Sequence, residues 1–292
     1  MHWLRWILLS IVLISCEKGV DFKLDQKPDV LVVDASIEND TPPVVVLTKS
    51  LGYFSQISSE IVTNSFVHNA DIFISNGQKT QKLKEHVVSP DATFKAYYYT
   101  IDSSNLNNAF LGQLNSSYSL RIVTEGKEYE ATTTIPNITK RIDSLWWKPV
   151  IGAKDTAQVS VLVKATDPKG FGDYIRYWTK RNSEPFLPAF TSAFDDLFID
   201  GTTYELELEP GIDRNREYKE GEQSFRRGDT VVFKISNIDK ATFDFWRTME
   251  YTYASVGNPF SSPIKVLGNI SNGALGYFGG YASQYHTLII TR

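Results

Sequence analysis

Cys16 carries the clearest chemistry in the sequence, because it is the only cysteine among 292 residues. It closes the segment Leu13-Ile14-Ser15-Cys16, in which a small residue directly precedes the thiol. This pattern is typical of bacterial lipoproteins, whose cysteine is alkylated by a diacylglycerol and becomes the first residue after cleavage. Two or three acyl chains anchor a protein firmly, whereas one chain holds it only marginally. We therefore predict a lipid on Cys16; the alternative is an ordinary secretory signal that contains a cysteine.

The residues before Cys16 have the composition of a signal peptide. Arg5 supplies a positive charge, and a nearly unbroken apolar run extends from Trp6 to Ile14. As a helix this run would span roughly 14 Å, which is shorter than a bilayer core of about 30 Å. We predict that residues 1–15 are a lipoprotein signal peptide. Residues 16–28 are polar, end at Pro28 and are predicted to form a lipidated tether.

Two acidic loops could bind a metal ion or support hydrolysis. Asp167 and Asp173 flank a glycine-rich loop, and Asp195, Asp196 and Asp200 lie close together in a second loop. Oxygen-rich loops suit Ca²⁺, so these five residues are calcium candidates. Asp is also common in turns, because its side chain bonds its own backbone. A hydrolase would need acids such as Asp167, Asp173 and Asp195 about 5–10 Å apart in a cleft.

Four aromatic residues are candidates for contact with a sugar, a peptide or a protein partner: Trp146, Trp147, Tyr177 and Trp178. Aromatic residues that alternate along a strand usually face a core, which is the alternative for all four. Trp146 and Trp147 are adjacent, and neighbours on one strand face opposite sides of the sheet. One of the two could therefore be exposed or cover a domain junction.

Common catalytic and cofactor motifs are absent from the sequence. It contains no G-x-S-x-G, H-E-x-x-H, Walker or G-x-G-x-x-G pattern. The acidic spacing matches no EF-hand, and the net charge of −4 gives no electrostatic basis for binding nucleic acid. We predict a protein that is not an enzyme and holds no cofactor or resident metal.

Short β-branched and aromatic segments bounded by turn residues run through the whole chain and predict an all-β fold. About seven such segments in residues 29–137, with a hairpin at Asn76-Gly77, suggest an immunoglobulin-like or transthyretin-like sandwich. Residues 138–292 are predicted to form a second, mostly β domain. Its glycines at 276, 279 and 280 allow sharp turns or close approach of another chain, and we expect them to help close the second sheet.

One helix is predicted near residues 240–255, packed on the second sheet. Asp239 can cap its N-terminus, and Gly257 with Asn258-Pro259 can end it. The apolar side chains that recur at helical spacing are Phe243, Trp246, Met249 and Tyr253.

Several motifs in the last quarter of the chain occur in a fixed order. They are Gly228-Asp229-Thr230-Val231, Phe245-Trp246, Asn258-Pro259-Phe260, Asn272-Gly273 and Gly276-Tyr277-Phe278-Gly279-Gly280-Tyr281. Together with the Cys16-Glu17-Lys18 start, they make the chain resemble the domain-of-unknown-function family 4249. Members of this family are lipoproteins of Bacteroidetes-type bacteria.

The resemblance implies a lipid-anchored outer-membrane protein that assists a TonB-dependent nutrient importer, by capturing ligand or by covering the barrel. It implies no catalytic residues, and the ligand is unknown. Lys18 follows Glu17, whereas surface-exposed lipoproteins of such bacteria tend to carry several acids there, so both the surface and the periplasmic face remain open. The alternatives are a structural or assembly lipoprotein without its own ligand, and a surface hydrolase.

Overall fold

The computed structural model describes residues 29–51, 57–89, 94–214, 224–258, 260–262 and 264–292. The predicted signal peptide, Cys16 and the tether up to residue 28 lie outside the described residues. None of the helices in the described part of the chain is long and apolar enough to cross a membrane.

The first half of the chain forms seven strands and one short helix within the described ranges. The strands are β1 (Leu31–Glu38), β2 (Val44–Lys49), β3 (Asp71–Ser75), β4 (Thr80–Val88), β5 (Ala96–Ile101), β6 (Ser116–Thr124) and β7 (Lys127–Ile135). Helix α1 (Ser59–Ser65) lies between β2 and β3. Turns with positive φ connect two of the hairpins, at Gly77 and at Glu125-Gly126, as their sequences require.

The second half is again mostly strand. Its strands are β8 (Arg141–Pro149), β9 (Gln158–Thr166), β10 (Tyr174–Arg181), β11 (Leu187–Phe194), β12 (Thr203–Leu208), β13 (Phe225–Arg226), β14 (Thr230–Ile238) and β15 (Leu275–Ile289). Helix α2 (Lys240–Ser255) follows β14 directly. The prediction of an all-β fold with one packed helix near residues 240–255 is confirmed.

Most of these strands belong to one large sheet, which contains strands from both halves of the chain. Among the described residues it has eleven strands, in the order β11-β10-β14-β15-β1-β2-β5-β4-β3-β6-β7. A smaller sheet is built around β9, which pairs with β8 on one side and with β12 and β13 on the other.

Strand β15 joins the two halves of the molecule. Its residues 275–281 pair in parallel with 32–38 of β1, and its residues 282–289 pair antiparallel with 230–237 of β14. The last strand of the chain therefore completes a sheet that the first strand begins. The division at residues 137 and 138 stays a prediction, but β15 contributes Phe278 and Ala282 to a core built mainly from the first half.

Glycines allow β15 to lie this close to its neighbours. Gly276 has φ +100°, and a Cβ there would be 1.9 Å from the Val33 carbonyl oxygen. A Cβ at Gly280 would be 2.4 Å from the Thr134 oxygen of β7. These glycines lie inside a strand and border the first core. Of the two uses expected for these glycines, a sharp turn or a close approach, the structure shows the close approach.

The large sheet has two chemically different faces around β15. The inner face carries Val33, Phe278 and Phe233, which belong to the two hydrophobic cores. The opposite face, called here the outer face, carries the alternate side chains of each strand. Ile238 and Tyr281 of this face form a smaller hydrophobic cluster with Phe243 of α2. Helix α2 covers part of the outer face, where Phe245 stacks on Tyr277 with ring centroids 4.6 Å apart.

Helix α2 begins where the sequence predicts. The Asp239 carboxylate accepts a hydrogen bond of 2.7 Å from the Thr242 amide, which satisfies one free donor of the first turn. Phe243 is buried, and the Trp246 indole N–H donates to the Tyr281 hydroxyl at 2.8 Å. Tyr253, in contrast, is half exposed. The residues that α2 buries are Thr242, Phe243, Phe245 and Glu250, so its buried face includes a charged side chain.

Candidate binding surface and acidic loops

The four aromatic candidates occupy different environments. On β8, Trp147 packs against the second core beneath the Arg227 guanidinium, and Trp146 points to the other side of the strand and is partly exposed. On β10, Tyr177 lies inside the second core, where burial raises the pKa of its hydroxyl. Trp178 occupies the outer face. The structure thus separates these residues, and the ring of Tyr177 does not face solvent.

Trp178 belongs to a group of side chains that we call the outer patch: Trp178, Phe186, Lys234, Tyr285 and Glu38. Trp178 of β10 is in register with Lys234 of β14, which is in register with Tyr285 of β15. The Lys234 ammonium is 4.9 Å from the Trp178 ring centroid and 5.6 Å from that of Tyr285. Three neighbouring strands therefore present ring, cation and ring side by side.

Glu38 and Phe186 border this row. The two Glu38 carboxylate oxygens contact the Lys234 ammonium and the Tyr285 hydroxyl. Phe186 meets Tyr285 edge to face at 5.8 Å. Tyr285 is 51% exposed and Phe186 is 36% exposed, so these rings are open to solvent although their positions are fixed. Sequence reasoning found only Trp178, since the other members come from separate strands and loops.

A buried arginine, Arg176, lies beside the outer patch and packs against one of its rings, that of Trp178. The Arg176 guanidinium carbon is 3.3 Å from the Trp246 ring centroid and 4.7 Å from that of Trp178. Its Nε donates to the Ser192 hydroxyl at 3.1 Å. Burial lowers the pKa of Arg176 to about 10. Glu250 of α2 accepts from the Ser192 amide at 3.0 Å and completes this polar cluster beneath the helix.

Asp34 lies on the outer face in register with Tyr277, which packs against α2. Desolvation by the surrounding protein raises the pKa of the Asp34 carboxyl, an effect that Arg176 partly offsets.

The two acidic loops are joined by hydrogen bonds from main-chain amides of the first loop to side-chain carboxylates of the second. The Asp196 carboxylate accepts hydrogen bonds from the amides of Gly172 and Asp173, at 2.8 and 3.0 Å. The Asp200 carboxylate accepts one from the Gly170 amide at 2.6 Å. These bonds place one carboxylate oxygen from each of Asp167, Asp173 and Asp196 within 4.8 Å of one another.

The acidic group is partly neutralised by a lysine. The Lys140 ammonium is 2.6 Å from Asp167 Oδ1, and both side chains are almost fully buried, with exposures of 1% and 0%. The contact lacks the angles of a hydrogen bond. Burial and the neighbouring charges of Asp167 and Asp196 raise the pKa of Asp173, whose Oδ1 accepts a hydrogen bond of 2.6 Å from the Thr139 hydroxyl.

Asp195 and Asp200 do not join this group. Asp195 points towards Arg247 of α2, at 3.8 Å, and Asp200 is occupied by the Gly170 amide. The structure therefore brings together three of the five calcium candidates. Sequence reasoning missed Lys140, since the link between the two halves gave no pattern that would bring it to these loops.

A surface depression elsewhere has a volume of about 650 Å³ and lies between β4 and residues 102–109. Its lining includes Phe73, Lys84, Asp102 and Asn105. It contains none of the candidate site residues, so the chemistry of the molecule is concentrated away from it.

The fold and these surfaces define an all-β protein with two large cores that both contact β15, a third and smaller cluster beneath α2, and an aromatic patch on one sheet face that is partly open to solvent. A family model, the domain of unknown function DUF4249, matches residues 17–287. The chain therefore belongs to the DUF4249 family. No curated protein matches the sequence.

Proposed function

We propose that this protein is a lipid-anchored, non-catalytic accessory protein of the outer membrane that binds a ligand or partner for a TonB-dependent nutrient importer. The observation that supports the binding role is the outer patch. Solvent-facing positions of a sheet are usually polar, but here Trp178 and Tyr285 flank Lys234, and Phe186 packs against Tyr285.

The chemistry of the outer patch suits a ligand that has both apolar faces and polar groups, such as a sugar or an extended peptide. Aromatic rings supply large contact areas at a small cost in conformational entropy, because they have few rotatable bonds. Lys234 and Glu38 are bonded to each other and are each 15% exposed, so the exposed parts of the pair can offer a donor and an acceptor in fixed positions. Arg176 and Trp246 support Trp178 from below, so the surface is organised before it binds.

The membrane location and the importer partner rest on the sequence. The Leu13-Ile14-Ser15-Cys16 segment supports a lipid anchor. The resemblance to the DUF4249 family implies a role beside TonB-dependent barrels. A hydrolytic role has less support, because Asp167 and Asp196 are buried and Asp195 points away from them.

The test is a pull-down of the tagged protein from native membranes in mild detergent, followed by mass spectrometry. We expect a TonB-dependent barrel to co-purify with the wild-type protein and to be lost from a Cys16→Ala variant. The double variant Trp178→Ala/Tyr285→Ala should weaken capture of the barrel or of the importer's substrate by at least tenfold. Tyr251→Ala is the matched control, since Tyr251 is 47% exposed on α2 outside the patch.

The alternative is a structural or assembly lipoprotein without a ligand. A partner that co-purifies equally with the patch variant and with Tyr251→Ala would favour this alternative and end the assignment of binding to the outer patch. Recovery of the wild-type protein alone would contradict both forms of stable partnership.

A further inference from the structure

We propose that Asp167, Asp173 and Asp196 form a divalent cation site, with Ca²⁺ as its ion, that locks the two acidic loops together. This site is separate from the outer patch and does not depend on the function proposed above. The bound ion would stabilise the connection between β9 and β10 by holding it against the loop that follows β11.

The geometry of the three carboxylates fits a single ion. One oxygen from each lies within 4.8 Å of the others. Calcium binds oxygen ligands at about 2.3–2.6 Å, so two ligands on opposite sides of one ion are about 5 Å apart or less. The oxygens therefore lie close enough to bind the same ion, with water completing its coordination.

An unsatisfied oxygen provides a second observation that points to a ligand. The Asp167 side chain has 0% exposure, and its Oδ2 has no hydrogen-bond donor. A buried carboxylate oxygen without a partner is strongly unfavourable unless a cation or a donor reaches it. Lys140 contacts the other oxygen of the same carboxylate, Oδ1, and leaves Oδ2 free for an ion.

The local charge also favours a divalent ion. Asp167, Asp173 and Asp196 face one ammonium group, that of Lys140, within a largely buried cluster. Two negative charges thus remain uncompensated when all groups are ionised, and an ion of charge +2 neutralises them. The ligands come from both loops, so binding the ion would hold the loop at 167–173 against the loop at 195–201.

Ion binding would fix the positions of three apolar side chains at the tips of the loops. Phe171 is 73% exposed, Leu197 is 60% exposed and Phe198 is 92% exposed. Hydrogen bonds from the Gly172 and Gly170 amides to the Asp196 and Asp200 carboxylates already join the two loops. The ion would add rigidity to an existing contact rather than create a new one.

The experiment uses the purified full chain in mild detergent, stripped with EDTA and titrated with CaCl₂ or MgCl₂ alone by calorimetry. We expect one Ca²⁺ per chain, with a Kd on the order of 10⁻⁴ to 10⁻³ M, the range of extracellular calcium modules. Mg²⁺ should bind at least tenfold more weakly, because it demands a smaller and more regular octahedral shell. Absence of saturable Ca²⁺ binding up to about 10 mM, well above that range, would overturn the proposal.

Variants locate the ion. Asp173→Asn removes one charge and keeps an oxygen that can accept from Thr139, so we expect Ca²⁺ affinity to fall by at least tenfold. Asp195→Asn is the matched control in the same loop and should bind Ca²⁺ as the wild-type protein does. Unchanged binding in Asp173→Asn and in Asp196→Asn would place the ion elsewhere and refute the site.

The melting temperature separates ion binding from a purely structural role. In EDTA, Asp173→Asn should melt at or above the wild-type temperature, because it relieves repulsion among the three acids. In excess Ca²⁺, the same variant should melt several degrees below the wild-type protein, because only the wild type is stabilised by the ion. A variant that melts lower by the same amount in both conditions would contradict the proposal.

Discussion

The close packing of β15 against β1 makes a sharp prediction about Gly276. A Cβ at this position would lie 1.9 Å from the Val33 oxygen and 2.7 Å from the Val33 carbonyl carbon. Both atoms are main chain, so no side-chain rotation can relieve the contact. Gly276→Ala should therefore push β15 away from β1 and disturb the pairing that extends to Tyr281.

The matched control is Gly273→Ala in the preceding turn. Gly273 has φ +76° and no atom within 4 Å of an added Cβ, whereas Gly276 has φ +100° and is crowded. The positive φ alone costs an alanine roughly 1–2 kcal/mol. Overpacking adds typically 1–3 kcal/mol at the crowded position only. The free energy of unfolding should thus fall by about 1–2 kcal/mol for Gly273→Ala and about 2–5 kcal/mol for Gly276→Ala.

The assay is thermal unfolding followed by far-UV circular dichroism, with both variants prepared in the same buffer. One kcal/mol corresponds to roughly 2–4 °C for a folded unit of 150–250 residues. The crowded variant should melt about 2–12 °C below the control, because the two differ by about 1–3 kcal/mol. Equal melting temperatures would refute the reasoning, since they would show that β15 can move from β1 without loss of stability.

Three further changes have expected outcomes of different kinds. Asp239→Ala removes the acceptor of the Thr242 amide and should lower the free energy of unfolding by about 1 kcal/mol; urea titration measures it, and no change would mean that the cap is redundant. Phe278→Ala empties a fully buried position in the first core and should cost about 3–5 kcal/mol; the same titration would show a smaller loss if the core can collapse around the cavity. Burial lowers the pKa of His286 below 6.5 in the folded protein, so this histidine binds a proton more readily in the unfolded chain. The stability that is present above pH 6.5 is therefore lost as the pH falls. His286→Gln should flatten this acid-side decline in unfolding experiments between pH 7 and pH 5, about the range in which histidine titrates, and an unchanged slope would assign the decline to other groups.

The strands that the sequence predicts best are those whose composition matches their environment. Examples are the β10 and β14 segments, Tyr174–Arg181 and Thr230–Ile238, which are rich in β-branched and aromatic residues. Strand β4 gives a weaker signal, because its exposed face carries Lys82 and Lys84 and its other side places Leu83 between the polar residues Gln81 and Glu85. Strand β11 contains Pro188, which is tolerated because β11 is at an edge of the sheet.

The first half of β15 escaped prediction for a different reason. Glycine is unfavourable in strands in general, so Gly276, Gly279 and Gly280 left a sharp turn and a close approach as alternatives. Here two neighbouring strands, β1 and β7, come too close to allow a Cβ at Gly276 and Gly280. Only the tertiary structure decides between these two uses of glycine.

The candidate sites were predictable only in part. The acids of the two loops were visible in the sequence. Which three of them converge depends on the hydrogen bonds that the Gly172 and Asp173 amides donate to the Asp196 carboxylate. The outer patch combines residues from β1, β10, β14, β15 and the loop before β11. Register between strands far apart in the chain creates it, and no local pattern encodes that register.

The position of β15 also determines the order in which the molecule can be completed. A chain made from its N-terminus supplies β1 first and β15 last, about 240 residues later. Until β15 arrives, the edge of β1 that it will cover has unpaired amides and carbonyls, and the first core lacks Phe278. Such an edge is a template for pairing with other chains. The first half must therefore be kept from aggregating until nearly the whole polypeptide is available, and both cores are completed by the same final strand.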